Sequence, residues 1–291
     1  MKHADEEQLR FISPSARLES EQLDALISVW GGSNTKEMTG VDPKRLAIPR
    51  VAQRPLFEKL LARIGNGSLR WCGTQFPTAS AAQDAEMATA EYEDFVYGAG
   101  LLEKKDPIGE WKKVSTRQGQ MTRVLNRKKT LRIVGPDTDL SFKIGGRKWI
   151  NCDGHENFPD GEVFTGPIEN SAEGRIRYSF PAVYGGKEVE NVRLVFKRGR
   201  VVESKADKGE TYLNSVLDSD PGARYVGELA MGTNFGIKCF TRNTLFDEKI
   251  GGTMHIALGN GSFSSIPRLS RRKASRPARR GASASRASAS R

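Results

Sequence analysis

The sequence predicts an α/β N-terminal domain, then a mainly antiparallel β (α+β) domain and a disordered basic tail. Strand-like and helix-like segments alternate through residues 1–128, and short strand-like runs separated by turns follow over residues 129–261. Ser, Ala and Arg dominate residues 262–291, which have no periodicity and almost no apolar residues. A chain of 291 residues is long enough for two domains with buried cores.

In the first domain, apolar runs that stop at glycine or shortly before proline predict buried strands over residues 23–30 and 69–74. Apolar residues at helical spacing predict a helix over residues 54–65. Further helices are predicted over residues 79–87, 89–102 and 107–127. Strands that alternate with helices favour a mostly parallel sheet. The sequence has no glycine-rich phosphate-binding motif, so a nucleotide-binding function has no support.

In the second domain, closely spaced apolar runs predict strands at residues 131–136, 140–144, 148–152 and 175–180. Polar and apolar side chains alternate over residues 191–197, and the chain reverses at Gly199 into residues 201–206, which predicts a hairpin. A helix is predicted over residues 208–217. These short strands indicate a mainly antiparallel domain.

Composition favours a cytoplasmic protein that does not enter a membrane. Hydrophobic residues make up 37% of the chain and charged residues 28%, values ordinary for a soluble protein. No long apolar run is present, and the N-terminus carries acids where a signal peptide would be apolar. The cysteines Cys72, Cys152 and Cys239 have no CxxC spacing, so we expect buried thiols rather than a zinc ribbon or disulfides.

The net charge of +11 is concentrated at the C-terminus. Nine basic residues and no acid lie between Ser262 and Arg291, which leaves a net charge of +2 on the first 261 residues. The tail could bind nucleic acid only non-specifically, because Phe263 alone supplies an aromatic ring among its charges. The abrupt change at Ser262 also suggests translation in a shifted reading frame.

Two carboxylates and one imidazole stand alone in apolar strand-like runs. A Pro-Asp-Gly turn delivers Glu162 into the start of a strand, and Glu228 and His255 each lie in an apolar run flanked by glycines. An unpaired buried carboxylate costs several kcal/mol unless a cation, hydrogen bonds or a metal ion compensates it. Two Glu and one His suit zinc, cobalt or manganese, so we predict that the three side chains converge on a metal ion.

Each of these residues also has a structural interpretation. Glu162 could form a salt bridge with a nearby Arg or Lys, and His255 could be a hydrogen-bonded core histidine. His155 is followed by a glutamate but lacks the second histidine of an HExxH motif, so we interpret it as part of a loop.

Five ordered segments closely resemble the metallo-aminopeptidase family typified by aminopeptidase T, and the resemblance covers about residues 5–261. They are PDTDL (136–140), NFPDGEVFTGP (157–167), FPAVYGG (180–186), GELAMGTN (227–234) and LFDEKIGGTMH (245–255). In that family, two Glu, two His and one Asp of the C-terminal domain hold two divalent metal ions, commonly zinc or cobalt, with manganese or magnesium as alternatives. By match, Glu162, Glu228 and His255 take three of those five positions.

The resemblance implies a cytoplasmic, dimeric aminopeptidase that releases N-terminal residues from peptides by means of a metal-activated water, with Glu228 as the residue that handles the proton or bridges the metals. The chain departs from the family twice. It begins about one strand-helix unit late, and residues 262–291 contain neither the His nor the Asp of the last two ligand positions. We therefore expect impaired activity. The alternatives are a catalytically inactive homologue or dimer partner, and nucleic-acid binding through the tail.

Overall fold

The first half of the chain is mainly helical. The computed structural model describes residues 1–184 and 186–259. The helices of this half are α1 (Glu6–Arg10), α2 (Pro14–Gln22), α3 (Pro43–Asn66), α4 (Ala79–Asp84), α5 (Thr89–Ala99) and α6 (Pro107–Leu125). The strands β1 (Ala25–Trp30) and β2 (Arg70–Gln75) confirm the two predicted ones in type and place.

The helices differ from the prediction in two places. The helices α1 and α2, which the sequence pattern does not predict, are short and begin at polar caps: the side chains of Asp5 and Ser13 accept hydrogen bonds from backbone N–H groups of the first turn. Helix α3 has 24 residues and continues through Pro49 and Pro55, where we expected a helix to begin only at residue 54. Each internal proline removes one helical hydrogen bond, and this helix tolerates both.

The second half consists mainly of strands. They are β3 (Thr130–Gly135), β4 (Thr138–Lys143), β5 (Ile150–Cys152), β6 (Asn157–Phe158), β7 (Glu162–Thr165), β8 (Glu173–Arg177), β9 (Ala182–Tyr184), β10 (Lys187–Val189), β11 (Arg193–Lys197), β12 (Arg200–Lys205), β13 (Val226–Gly232) and β14 (Met254–Leu258). A 3-10 helix (Glu169–Ser171) and helices α7 (Glu210–Leu217) and α8 (Thr244–Asp247) connect them. The predicted helix before residue 217 and the β11–β12 hairpin are confirmed.

The strands form one parallel and several antiparallel sheets. The parallel sheet has the order β1-β2-β6, so its third strand comes from the second half of the chain. A five-stranded sheet has the order β12-β11-β8-β4-β3, a four-stranded sheet has the order β14-β13-β7-β5, and β9 pairs with β10; every pairing within these three is antiparallel. The mixed α/β and antiparallel character matches the predicted fold class, while the domain boundary at residues 128–129 stays a prediction.

The largest apolar core is shared by the two larger antiparallel sheets. Phe142 and Leu194 of the five-stranded sheet and Val163 and Leu229 of the four-stranded sheet belong to one buried cluster. A second cluster joins α4 and α5 to residues around α8, including Phe246. The second cluster therefore combines residues from both halves of the chain.

Strand β1 differs from its prediction in burial. We expected a buried strand, but the side chains of Ile27 and Val29 are 74% and 62% exposed. Parallel sheets normally have both faces covered. Similarly, Cys72 on β2 is half-buried rather than buried, because it is paired with Ile27 and lies on the same poorly covered face. Cys239 is also half-buried, and only Cys152 is the buried thiol that we expected.

Two sequence predictions concern features beyond this architecture. The disordered tail predicted over residues 262–291 lies outside the described residues. Within the described residues, no helix has the length and apolar character needed to cross a bilayer.

Candidate metal centre

The candidate centre lies on one face of the four-stranded sheet. Strand β7 begins at Glu162, as predicted, and successive side chains of a strand point to opposite faces. Phe164 of β7 is paired with Ala230 of β13, which is in turn paired with His255 of β14. The alternation therefore places Glu162, two residues from Phe164, and Glu228, two residues from Ala230, on the same face as His255. The opposite face carries the apolar side chains that enter the main core.

The structure brings the three predicted side chains together. A potential ligand atom from each of Glu162, Glu228 and His255 lies within 4.8 Å of the other two. The Nε2 atom of His255 is 3.3 Å from Oε2 of Glu162 and 3.3 Å from Oε1 of Glu228, to which it is hydrogen-bonded. Both carboxylates are almost fully buried, and His255 is largely buried. The expected convergence is thus observed, while the assignment of these residues as metal ligands stays a prediction.

The two structural interpretations left open by the sequence are also realised. Oε1 of Glu162 is 3.3 Å from the ammonium nitrogen of Lys249, which is itself only 1% exposed. The same ammonium is 3.8 Å from Oε2 of Glu248. Glu162 therefore lies between a lysine on one side and a histidine on the other. This explains how two buried carboxylates can lie close together without a prohibitive electrostatic cost.

Burial and charge shift the proton affinities around this cluster. Burial and the nearby Glu162 raise the pKa of Asp160 to about 7, although Lys249 opposes the shift. Burial likewise raises the pKa of Glu248 to about 6, against the attraction of His255 and Lys249. Burial would lower the pKa of Lys249, but the attraction of Glu162, Asp160 and Glu248 outweighs it and the net shift is upward.

The pKa of the His255 imidazole shifts upward for the same reason as that of Lys249. Burial alone would lower the pKa of His255, yet its hydrogen bond to Glu228 and the charges of Glu162 and Glu248 raise it. A histidine binds a metal only when it is neutral, so metal binding at this position must release the proton that these acids favour. The acids around His255 therefore favour a positive charge at this position.

Several hydrogen bonds fix the position of Glu162. The side chain of Gln118 on α6 donates to the carbonyl oxygens of Glu162 and Cys152, at 2.7 and 2.8 Å, and so joins β7 to β5. Gly161, with φ of 121°, lies so close to Asn234 that an added Cβ would be 2.6 Å from the Asn234 Cβ. Asn234 donates to the carbonyl oxygens of Asp160 and Ala99 and thereby connects the turn to the end of α5.

The residues present fit a divalent metal ion. Oε2 of Glu162, Oε2 of Glu228 and Nδ1 of His255 are buried and have no hydrogen-bond partner within the described part of the chain. Leaving buried polar atoms unpaired costs about 1–3 kcal/mol each, and a metal ion is one of the groups that can satisfy carboxylate oxygens. The donor set of two carboxylates and one imidazole is typical of zinc and of related divalent metals.

Other candidate residues lie outside this cluster or were not predicted. His155 lies in a turn, exposed, with Nδ1 2.6 Å from Oδ1 of Asp153, which agrees with its interpretation as part of a loop. Cys152, Asp160 and Glu162 form a second group whose potential ligand atoms lie within 4.8 Å of one another. Sequence reasoning missed Asp160 and Lys249, because both lie in polar, turn-like stretches that usually face solvent. In the resembling motifs Asp160 stands two residues before Glu162 and Lys249 stands six residues before His255, and only this proximity to predicted ligands could have indicated them.

Comparison with known proteins identifies relatives that match most of the chain. The thermophilic metalloprotease (M29) family model matches residues 1–287. Aminopeptidase AmpS of Bacillus subtilis is 29% identical over 261 residues, and aminopeptidase T of Thermus thermophilus is 30% identical over 253 residues. These matches cover 81% and 78% of this chain but 62% and 60% of the relatives, so the chain spans about 60% of their length.

A solved structure supports the same relationship. The structure of wild-type AmpT from Thermus thermophilus superposes with a TM-score of 0.74 and 27% identity, and the match covers 87% of this chain and 68% of that one. The chain therefore shares the fold of AmpT over most of its length. On the match of the family model and of these relatives, the chain belongs to the thermophilic metalloprotease family.

Proposed function

We propose that this protein is a metal-dependent aminopeptidase that hydrolyses N-terminal residues from peptides, with Glu162, Glu228 and His255 as metal ligands. The observation that carries the proposal is the convergence of these three side chains from separate strands, each with a buried polar atom that has no hydrogen-bond partner in the described chain. Family membership supports the same reaction class, because the named relatives are aminopeptidases. We propose zinc or cobalt as the metal, with manganese or magnesium as alternatives.

Each residue of the proposed centre has a role that follows from its position. When bound, a divalent metal ion supplies Lewis-acid activation of water and of the scissile carbonyl. Glu228 is the catalytic residue that accepts and returns the proton, because one of its oxygens is held by His255 while the other is unpaired in the described chain. Glu162 presents Oε2 toward His255 while Lys249 holds Oε1. His255 lies between the two carboxylates and fixes their separation.

We propose that this chain holds one metal ion rather than the two expected for the family, and that its activity is correspondingly reduced. The described cluster offers two Glu and one His, and the residues after Ser262 contain no further His or Asp. Loss of a second ion removes part of the charge stabilisation that a metal pair provides. The chain would then act as a weak peptidase, and an inactive homologue or dimer partner is the alternative.

The remaining expectations are proposals of the same kind. We propose a catalytic domain over residues 129–261, a homodimer, and a cytoplasmic location. Only the charge of the basic residues after Ser262 supports nucleic-acid binding, so we do not favour it.

The test measures metal binding and hydrolysis together. Purified wild-type protein should bind cobalt or zinc in a calorimetric titration and should then release the chromophore from a leucine anilide. Glu228→Gln should lower metal affinity at least tenfold and abolish hydrolysis. Glu203→Gln, which changes an exposed acid on β12, should behave like the wild type. Metal binding without hydrolysis would favour the inactive homologue, and no metal binding by the wild type would refute the proposed centre.

A further inference from the structure

Lys249 is an unusual residue for its environment. Lysine is almost never fully buried unless its charge is paired, yet this side chain is 1% exposed. It follows the helix α8 at the beginning of the turn that leads to β14. Neither the proposed metal ligation nor the packing of the apolar cores requires an ammonium group at this place.

The ammonium divides the two oxygens of Glu162 between two neighbours. Oε1 is 3.3 Å from Nζ of Lys249, and Oε2 is 3.3 Å from Nε2 of His255. The proposed metal position, on the side of Glu228 and His255, is therefore reached by Oε2 alone. An ammonium at salt-bridge distance also holds the carboxylate in one orientation.

On the side of Lys249, Glu162 takes part in the second potential ligand group. Ligand atoms of Cys152, Asp160 and Glu162 lie within 4.8 Å of one another, and all three residues are buried. Lys249 interacts electrostatically with each of these three groups. The oxygens of Asp160 also accept hydrogen bonds from the backbone N–H groups of Gly154 and Gly161. The group thus has the composition of a metal site but already contains a cation.

We propose that Lys249 is a built-in cation that takes the place of a metal ion in the Cys152–Asp160–Glu162 group and restricts Glu162 to metal coordination through Oε2. The restriction of Glu162 to Oε2 rests on the proposed metal centre. The replacement of a metal ion by Lys249 does not depend on it. Lys249 is a positioning residue, because it acts through Glu162 and touches neither the substrate nor the proposed metal position.

Three variants test the proposal by metal binding rather than by activity. Lys249→Met removes the charge but keeps most of the side-chain volume, and should leave the Cys152 group able to bind an extra divalent ion. With cadmium as the probe, calorimetry should detect one more ion per chain than in the wild type, and a new cadmium-thiolate charge-transfer band should appear in the ultraviolet. The double variant Lys249→Met/Cys152→Ser should lose this band. Lys249→Arg, which keeps the charge, should retain the wild-type stoichiometry.

The outcomes separate this inference from the proposed function. A wild type that binds one ion and a Lys249→Met variant that binds no more, with no new band, would overturn the inference and leave the function standing. A wild type that binds no ion while Lys249→Met gains a thiolate-bound one would support the inference and refute the function. If Lys249→Met does not fold, the comparison of the wild type with Cys152→Ser still decides: their cadmium spectra should be identical, and a thiolate band that depends on Cys152 would contradict the proposal.

Discussion

The parallel sheet and the four-stranded antiparallel sheet contain similar apolar residues, but these side chains are exposed in the first and buried in the second. On β1, Ile27 and Val29 remain 74% and 62% exposed, whereas Val163 on β7 and Leu229 on β13 are completely buried. The five-stranded sheet packs against one face of the antiparallel sheet, and the candidate centre occupies the other. The exposed face of β1 has no comparable cover in the described residues. The burial of a strand therefore depends on what packs against it more than on its own sequence.

The largest effect should come from the shared core. Phe196 on β11 is 1% exposed and belongs to the main apolar cluster. Phe196→Ala should lower the free energy of unfolding by about 3–5 kcal/mol, because it removes buried apolar surface and leaves a cavity. Chemical denaturation followed by circular dichroism measures this loss. A loss below about 1 kcal/mol would mean that the core is not the main source of stability.

Substitutions at two separate glycines test whether the backbone of the antiparallel region tolerates an added side chain less well than the region near β1. Gly161→Ala places a Cβ 2.6 Å from that of Asn234 at a φ of 121°, while Gly32 has open space around it. We expect Gly161→Ala to cost about 2–3 kcal/mol and to weaken metal binding, because Glu162 follows directly. Gly32→Ala should change stability by less than about 1 kcal/mol. Equal effects of the two substitutions on thermal unfolding would contradict the comparison.

Buried acids in the second half of the chain should make its stability depend on pH, whereas exposed acids in the first half should not. Burial raises the pKa of Asp247 to about 6, from an ordinary value of 3.8, against hydrogen bonds from Thr241. Between these values the native state keeps a proton that the unfolded chain has released, so stability falls as the pH rises through about 6. Asp247→Asn should remove the share of Asp247 in this dependence, while the shares of Asp160 and Glu248 remain, and should gain, relative to the wild type, up to about 3 kcal/mol between about pH 4 and pH 7.

The matched control for the pH experiment is an exposed acid on helix α2, in the first half of the chain. The pKa of Glu21 is lowered by its hydrogen bond to Lys59, and its side chain is in solvent. Glu21→Gln should leave the pH profile of stability nearly unchanged. A profile for Asp247→Asn that runs parallel to that of the wild type would show that the buried acid does not titrate in this range.

The smallest effect should follow from a substitution on the exposed face of β1. Ile27→Ala should change the free energy of unfolding by no more than about 0.5 kcal/mol, because most of its side chain is already in solvent. A loss comparable with that of Phe196→Ala, at protein concentrations where the chain is monomeric, would show that this face is packed in solution.

The architecture of the candidate centre could be predicted where the sequence pattern is local. Isolated charges in apolar runs led to the prediction that Glu162, Glu228 and His255 converge, and the resemblance of motifs supported that prediction. The hairpin β11–β12 followed from its alternating residues and its glycine turn. These features depend on neighbouring residues, which the sequence shows directly.

Features that depend on distant contacts could not be predicted. The stretch around Lys249 has the composition of a solvent-exposed turn. The side chain of Lys249 can be buried because it pairs with Glu162, which lies on a distant strand. The exposure of Ile27 could not be predicted either, since an apolar run is compatible with a covered or an uncovered sheet face. Pairing of β2 with β6 joins residues far apart in the chain and has no local signal.

The most direct test of the proposed centre is anomalous X-ray diffraction from crystals of the wild-type protein soaked in zinc. The account predicts one anomalous peak per chain, about 2 Å from Oε2 of Glu162, an oxygen of Glu228 and a ring nitrogen of His255. A peak between Cys152 and Asp160, or none at saturating zinc near these three side chains, would contradict it.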